Sequence, residues 1–385
     1  MTTSVAAHDA GPAGDQVLVD GLFTPEGRAD PHSVLRGSGQ VGCRHASARR
    51  ILHSPNFLPA RVSPSEFELF RMFARWLISL DGERHRVMRG AFGGRFTPRT
   101  IDTYREPIRS TANELVDAAI ERGRIDLVSG FARPLPLRII CHVLGVPAEH
   151  VPWIDQRMIT LGLGFAHQRD PEFLRAASDA ATELQAYFDE LLDERRAAPA
   201  DDLLTALSQQ LPNDPETRAD TVANCVLFII AGHATTTSLI AGGTLLLLEN
   251  GQAPSHAQIP GAVEEMLRLI TPTTIVVTRA AQADEIDGCP IAADEHRFVF
   301  LAAANRDAEV FEDPDRFDLA RSPNSHLTFS AGKHYCLGAP LARLHGEIAI
   351  STLLARLPAL RLDGEPAWRG SFPLRELERL PVAWD

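Results

Sequence analysis

Apolar residues recur at three- and four-residue spacing over Thr103 to Arg122, Pro171 to Arg196, Thr221 to Glu249, Ile259 to Leu269 and Ala339 to Leu357, each stretch bounded by Gly, Pro or Asp. That spacing predicts helices with one buried face. Runs of strand character are short: Gln16 to Val19, Ile275 to Arg279, His296 to Leu301 and Leu380 to Ala383. Pro147, Pro260, Pro290 and Pro314 fall where loops or helix starts belong. The pattern therefore predicts a mainly α fold with small β-sheets and no solenoid-length repeat.

Val222 to Leu248 is apolar and long enough to span a bilayer. Asn224, His233, Thr235, Thr236, Thr237 and Ser238 place polar groups along its middle, and no Lys/Arg cluster flanks it. A buried central helix is the expectation, and no membrane partner.

A chain of 385 residues has room for two or three domains. No Gly/Ser-rich or Pro-rich stretch divides its interior, and the low-complexity run ends near Gln16. The expectation is a disordered tail over residues 1–16 and a single domain over 17–385. A net charge of -12 with no basic block excludes general nucleic-acid binding. The five cysteines, Cys43, Cys141, Cys225, Cys289 and Cys336, are far apart and form no CxxC pair. Neither a disulfide framework nor a zinc or iron–sulfur site is indicated. This fits a reducing cytoplasm, as does a first segment without signal-peptide character.

The most informative stretch runs from Phe329 to Gly338, Phe-Ser-Ala-Gly-Lys-His-Tyr-Cys-Leu-Gly, and leads straight into the helical run Ala339-Pro340-Leu341. Gly332 and Gly338 permit backbone conformations closed to other residues, letting the chain lie flat against a large ligand. Pro340 suits a first helical turn, so Cys336 sits just ahead of a helix N-terminus, where the dipole and spare N–H groups favour a thiolate. For the other four cysteines a small buried hydrophobe is the preferred reading.

Here the sequence resembles the cytochrome P450 family, in its soluble bacterial form, over about Asp81 to Val382. The family loop reads Phe-Gly-x-Gly-x-His-x-Cys-x-Gly, matched at Phe329, Gly332, His334, Cys336 and Gly338; Ser330 departs from it. The resemblance implies a single catalytic domain with haem b between a long central helix and the cysteine loop. Cys336 would be the axial thiolate ligand, a known way of pushing electron density towards oxygen on the iron. A small residue at position 330 implies only slightly altered loop geometry.

Further matches accompany the loop. Glu265 and Arg268 share a helical face, and with Arg316 of Pro314-Asp315-Arg316-Phe317 they correspond to a structural trio behind the thiolate loop. His85, Arg89, Arg279 and His334 fall at positions that hold the haem propionates. Ala304 to Asp307 and Phe311 to Pro314 resemble the family's late region and add fold support, not chemistry. Ala231-Gly232-His233-Ala234-Thr235-Thr236 resembles the oxygen-binding motif. Ala231 and Gly232 leave room, and the hydroxyls of Thr235 and Thr236 can relay protons. The family's usual acid before the threonine is Ala234 here.

The implied activity is O2-dependent monooxygenation, hydroxylation or epoxidation, of a medium-sized apolar secondary metabolite. With no flavin fingerprint or iron–sulfur cysteines, electrons are expected from a ferredoxin and its reductase. Lys333 and Arg343 are candidates for a basic docking patch. Substrate choice is expected near Phe57 to Ile78, Ile154 to Phe173, Leu227, Pro272 to Val277 and Ser371 to Leu374. Ala234 keeps a second reading open: coupling, rearrangement, or peroxide-driven chemistry on the same cofactor. A haem sensor is a third, opposed by Thr235 and by the absence of an output segment.

Overall fold

The computed structural model describes residues 42–369 and 373–385. The expected tail, the strand Gln16 to Val19 and part of Ser371 to Leu374 lie outside the described residues. The chain groups into two compact units. One contains Pro59–Thr100 and Leu137–His233; the other contains residues 42–58, Ile101–Pro136 and Ala234–Asp385. The boundary between His233 and Ala234 falls inside one continuous helix, Pro215–Glu249.

In the first unit, Val151–Ala166 packs along Pro171–Ala197. The second of these starts where the side chain of Asp170 accepts the N–H of Glu172 and Pro171 takes the first helical position. The long helix begins six residues before the expected Thr221 for the same reason. Asp214 accepts the N–H groups of Glu216 and Thr217 at 3.1 and 3.0 Å, and Pro215 opens the first turn. Helix Gly82–Gly93 is tied to the long helix through Arg84, which grips the buried Asp220 at 2.7 Å.

The second unit carries the sheets. Phe57–Pro59, Val276–Ala280 and His296–Val299 form one, Arg124–Asp126, Pro381–Ala383 and Arg361–Leu362 another. Asp284–Ile286 and Cys289–Ile291 pair across Asp287-Gly288, both at positive φ, the geometry a two-residue hairpin requires. Helix Ala339–Arg356 packs against Arg105–Ile120 on one side and Ile259–Ile270 on the other. Leu239, Met266, Leu267, Phe317, Phe329 and Ala339 share one apolar core there. Burying the five larger of these side chains supplies, at about 1.5–3 kcal/mol each, the packing that holds the start of the cysteine loop.

By length and composition Pro215–Glu249 is able to cross a membrane, but 72% of its most apolar window is buried inside the protein. It is built as a core helix.

Candidate active site

The cysteine loop is held by its own backbone. The N–H of Cys336 donates to the carbonyl of Phe329 at 2.9 Å, that of Tyr335 to Gly332 at 3.1 Å, and that of Ser330 to Leu327 at 2.8 Å. Helix Ala339–Arg356 follows with Gly338 at its cap and Pro340 in its first turn, so the expected placement ahead of a helix start is met. Cys336 itself is exposed; of the four cysteines expected to be small buried hydrophobes only Cys141 and Cys225 are, burial pushing their thiols up, Cys141 to about 12, while Cys43 is half-buried and Cys289 exposed. Gly332 adopts φ +67°, and a Cβ there would lie 2.3 Å from the carbonyl oxygen of Leu52. Ser330 also has positive φ, +61°. The departure from the family glycine thus keeps the left-handed backbone and carries the strain of a side chain in it.

Behind the loop, Glu265 and Arg268 are both fully buried and joined at 2.7 and 2.8 Å. The third member differs from the expectation. Arg316 is 63% exposed and bonds Asp318 at 2.8 Å, offering only its carbonyl to Arg268 at 3.2 Å. Arg321 takes its place, donating from Nε to Glu265 at 3.0 Å from a buried position. Arg316 lies between Asp313 and Asp318, which draw it outward to solvent, whereas Arg321 reaches inward. Glu265 further accepts from Asn324 and from the N–H of Asp318, so its charge is fully coordinated.

Asn305, from the segment read as fold support only, proves to be a link. Its Oδ1 accepts the N–H of Leu327 at 2.6 Å, and its Nδ2 donates to Thr271 and Thr328, each at 2.9 Å. Thr328 in turn donates to the carbonyl of Leu267. The side chain joins the helix bearing Glu265 and Arg268 to the two residues that precede Phe329. An Asn in a loop segment carries no sequence signal for such a role.

The expected anion-binding residues sit as follows. His85 is buried and Arg89 half-buried, one turn apart on helix Gly82–Gly93 in the first unit. Arg279 and His334 belong to the second. Arg279 is buried and pairs with Asp294 at 2.5 Å through one terminal nitrogen, while its Nε, also buried, has no acceptor among the described residues. His296, which the sequence did not single out, is the register partner of Arg279 across the antiparallel pair.

On the long helix, residues 221–229 and 236–245 are buried without exception, yet Ala231 between them is exposed and Ile230, Gly232, Ala234 and Thr235 are half-buried. Positions 230, 231, 234 and 235 share one side of the helix and are less buried than the residues before and after them. Thr236 is buried beside it. Arg343 is not a loose cation. It is bonded to Glu264 at 2.7 and 3.0 Å and lies 4.6 Å over the ring of Phe329. Glu264 compensates its charge; Lys333 is exposed.

The cytochrome P450 family model matches residues 259–363. The biotin biosynthesis cytochrome P450 of Bacillus subtilis (strain 168) is 37% identical over 307 residues, covering 78% of this chain and 78% of that protein. The 6-deoxyerythronolide B hydroxylase of Saccharopolyspora erythraea is 35% identical over 327 residues, 81% of this chain and 79% of the other. Among solved structures, P450BioI in complex with an acyl carrier protein ligated to hexadec-9Z-enoic acid superposes with a TM-score of 0.88 at 32% identity, covering 94% of this chain and all of that one. With its helices and small sheets, its cysteine loop and these relatives, the chain belongs to the cytochrome P450 family of oxidoreductases.

Proposed function

We propose that residues 17–385 form a single catalytic domain acting as a cytoplasmic haem-thiolate monooxygenase on an apolar secondary metabolite, with electrons from a ferredoxin and its reductase. The observation that carries the reading is the exposed Cys336 on a loop fixed by the Phe329 carbonyl and followed at once by a helix N-terminus. A buried Arg279 Nε without an acceptor among the described residues fits a doubly anionic ligand, since an unpaired buried donor is costly until it meets one. The donor set of one thiolate with His85, Arg89, Arg279 and His334 suits an iron porphyrin with two propionates. Haem b, when bound, supplies the iron at which dioxygen is activated.

The chain's own residues have distinct tasks in this reading. Cys336 would hold the iron, with the helix N-terminus behind it favouring the thiolate. Glu265, Arg268, Arg321 and Asn305 keep the loop's approach rigid. Ala231 keeps the helix side chain small on the side of Thr235, whose hydroxyl would hold and pass a proton, and Thr236 stands next to it; Gly232 instead lies against Ile140, whose side chain is 3.2 Å from where a Cβ would sit. The loop carrying Lys333 lies beside the helix carrying the exposed Arg49, and that face would offer an acidic ferredoxin a cationic contact.

Ala234 favours a second reading on the same cofactor. A methyl group cannot deliver a proton, so peroxide-driven or rearrangement chemistry fits this position as well. Reduction under carbon monoxide separates the two. If ferredoxin, reductase and NADPH generate the strongly red-shifted Soret band that dithionite generates, the ferredoxin-driven reading stands. A band formed with dithionite alone contradicts it.

A further inference from the structure

We propose that Trp76 is the polar anchor of the substrate site, its indole N–H donating to a carbonyl oxygen on an otherwise apolar substrate. The proposal rests on the monooxygenase reading above and names the class of molecule that it oxidises. Trp76 is 3% exposed, and its Nε1 has no acceptor among the described residues. A buried indole N–H normally finds a partner, and one without a protein partner is a donor waiting for a ligand.

Its surroundings are built for an apolar body. The rings of Phe73, Trp76 and Phe165 form a trio with centroids 5.0, 5.7 and 5.8 Å apart. Phe73 and Phe165 are half-buried, so the trio grades from an accessible rim to a buried donor. Close to these residues in sequence, Ile78 is 53% exposed and Leu163 is exposed too. Half-buried aromatic rings packed beside an unsatisfied donor describe a surface that a ligand covers. Phe73 and Phe165 come from two of the stretches expected to choose the substrate.

The donor is also held in place. Asn224, fully buried on the long helix, accepts the N–H of Leu77 at 2.6 Å and donates to the carbonyl of Arg75 at 2.9 Å. It clamps the backbone on both sides of Trp76. Arg75 is fixed in turn on Asp220 at 2.8 Å. Such a site rejects a molecule lacking the acceptor, because binding it leaves the donor buried and unpaired.

The test compares equilibrium binding of cyclododecanone and cyclododecane to the haem-loaded protein, which differ only in the carbonyl. The ketone is expected to bind about tenfold more tightly or better. Trp76→Phe should bring the two affinities together by weakening the ketone alone. Phe73→Leu, which keeps the N–H, should weaken both and preserve their ratio. Equal affinities in the wild type, no binding of either probe, or a preference that survives Trp76→Phe would each overturn the proposal. Should Trp76→Phe fail to fold, the wild-type and Phe73→Leu ratios still decide. A normal reduced carbon monoxide spectrum in the same samples separates failure of the anchor from failure of the haem-thiolate reading.

Discussion

Arg321 Nε lies 3.0 Å from Glu265 Oε1, and both side chains are buried. Removing Arg321 leaves Glu265 neutralised by Arg268 but short of one charge-assisted donor in a buried site, which costs about 1.5–3 kcal/mol. Arg321→Ala should therefore lower stability by that amount and reduce haem content. Arg316→Ala, at an exposed position, should cost no more than about 1 kcal/mol. Urea unfolding of the two variants, side by side, checks the assignment; equal losses would contradict it.

The two left-handed positions of the loop make opposite predictions. Ser330 occupies a left-handed backbone without being glycine, so Ser330→Gly should leave stability unchanged or raise it by up to about 1 kcal/mol. A β-branched Ser330→Val should lower it by about 1–3 kcal/mol. Gly332→Ala meets the Leu52 carbonyl at 2.3 Å and should prevent the loop from closing. Thermal unfolding of the three variants measures the order.

Two groups set the acid limb of stability. Burial pushes the His345 imidazole down to about 4 from an ordinary 6.5, although its Nδ1 faces the Leu341 carbonyl at 3.0 Å. The unfolded chain then binds the extra proton between those values, so stability is full above pH 6.5 and falls as the pH drops towards 4. The loss should be on the order of 3 kcal/mol. For Glu264, burial opposes ionisation but the His326 and Arg343 bonds outweigh it, leaving the carboxyl at about 2. Its contribution is present above pH 4.5 and lost as the pH falls through about 2. His345→Gln should flatten the upper window and Glu264→Gln the lower one, as seen in unfolding curves at stepped pH.

At Ala234, restoring an acid tests the proton route. Ala234→Asp should raise oxygen-driven turnover of a common substrate by about tenfold or more while leaving peroxide-driven turnover unchanged. Thr235→Ala should lower product formed per NADPH consumed. Unchanged coupling in both variants would remove proton delivery from this stretch of helix.

Much of this was legible in the residues, for identifiable reasons. The long helices announced themselves through apolar periodicity, and Ile259–Ile270 and Ala339–Arg356 end within a residue of expectation. Pro215–Glu249 starts ahead of its apolar stretch because periodicity weakens in a helix buried on most sides, while the start signal, Asp214-Pro215, lies upstream. The cysteine loop was readable because its chemistry demands a contiguous set of residue types. The buried triad was not, because Arg316 and Arg321 are the same residue five positions apart, and only the turns around Asp313 and Asp318 decide which one faces inward. Asn305 and Trp76 were invisible for a related reason: what marks each is its partner, or the lack of one, across the fold.

The central claim concerns one sulfur. The absorption spectrum of the dithionite-reduced protein under carbon monoxide, compared with that of Cys336→Ala, tests it most directly. The account predicts a strongly red-shifted Soret band in the wild type that is lost in the variant. Folded, haem-loaded wild-type protein without that band, or a variant that keeps it, would contradict the assignment of Cys336 as the iron ligand.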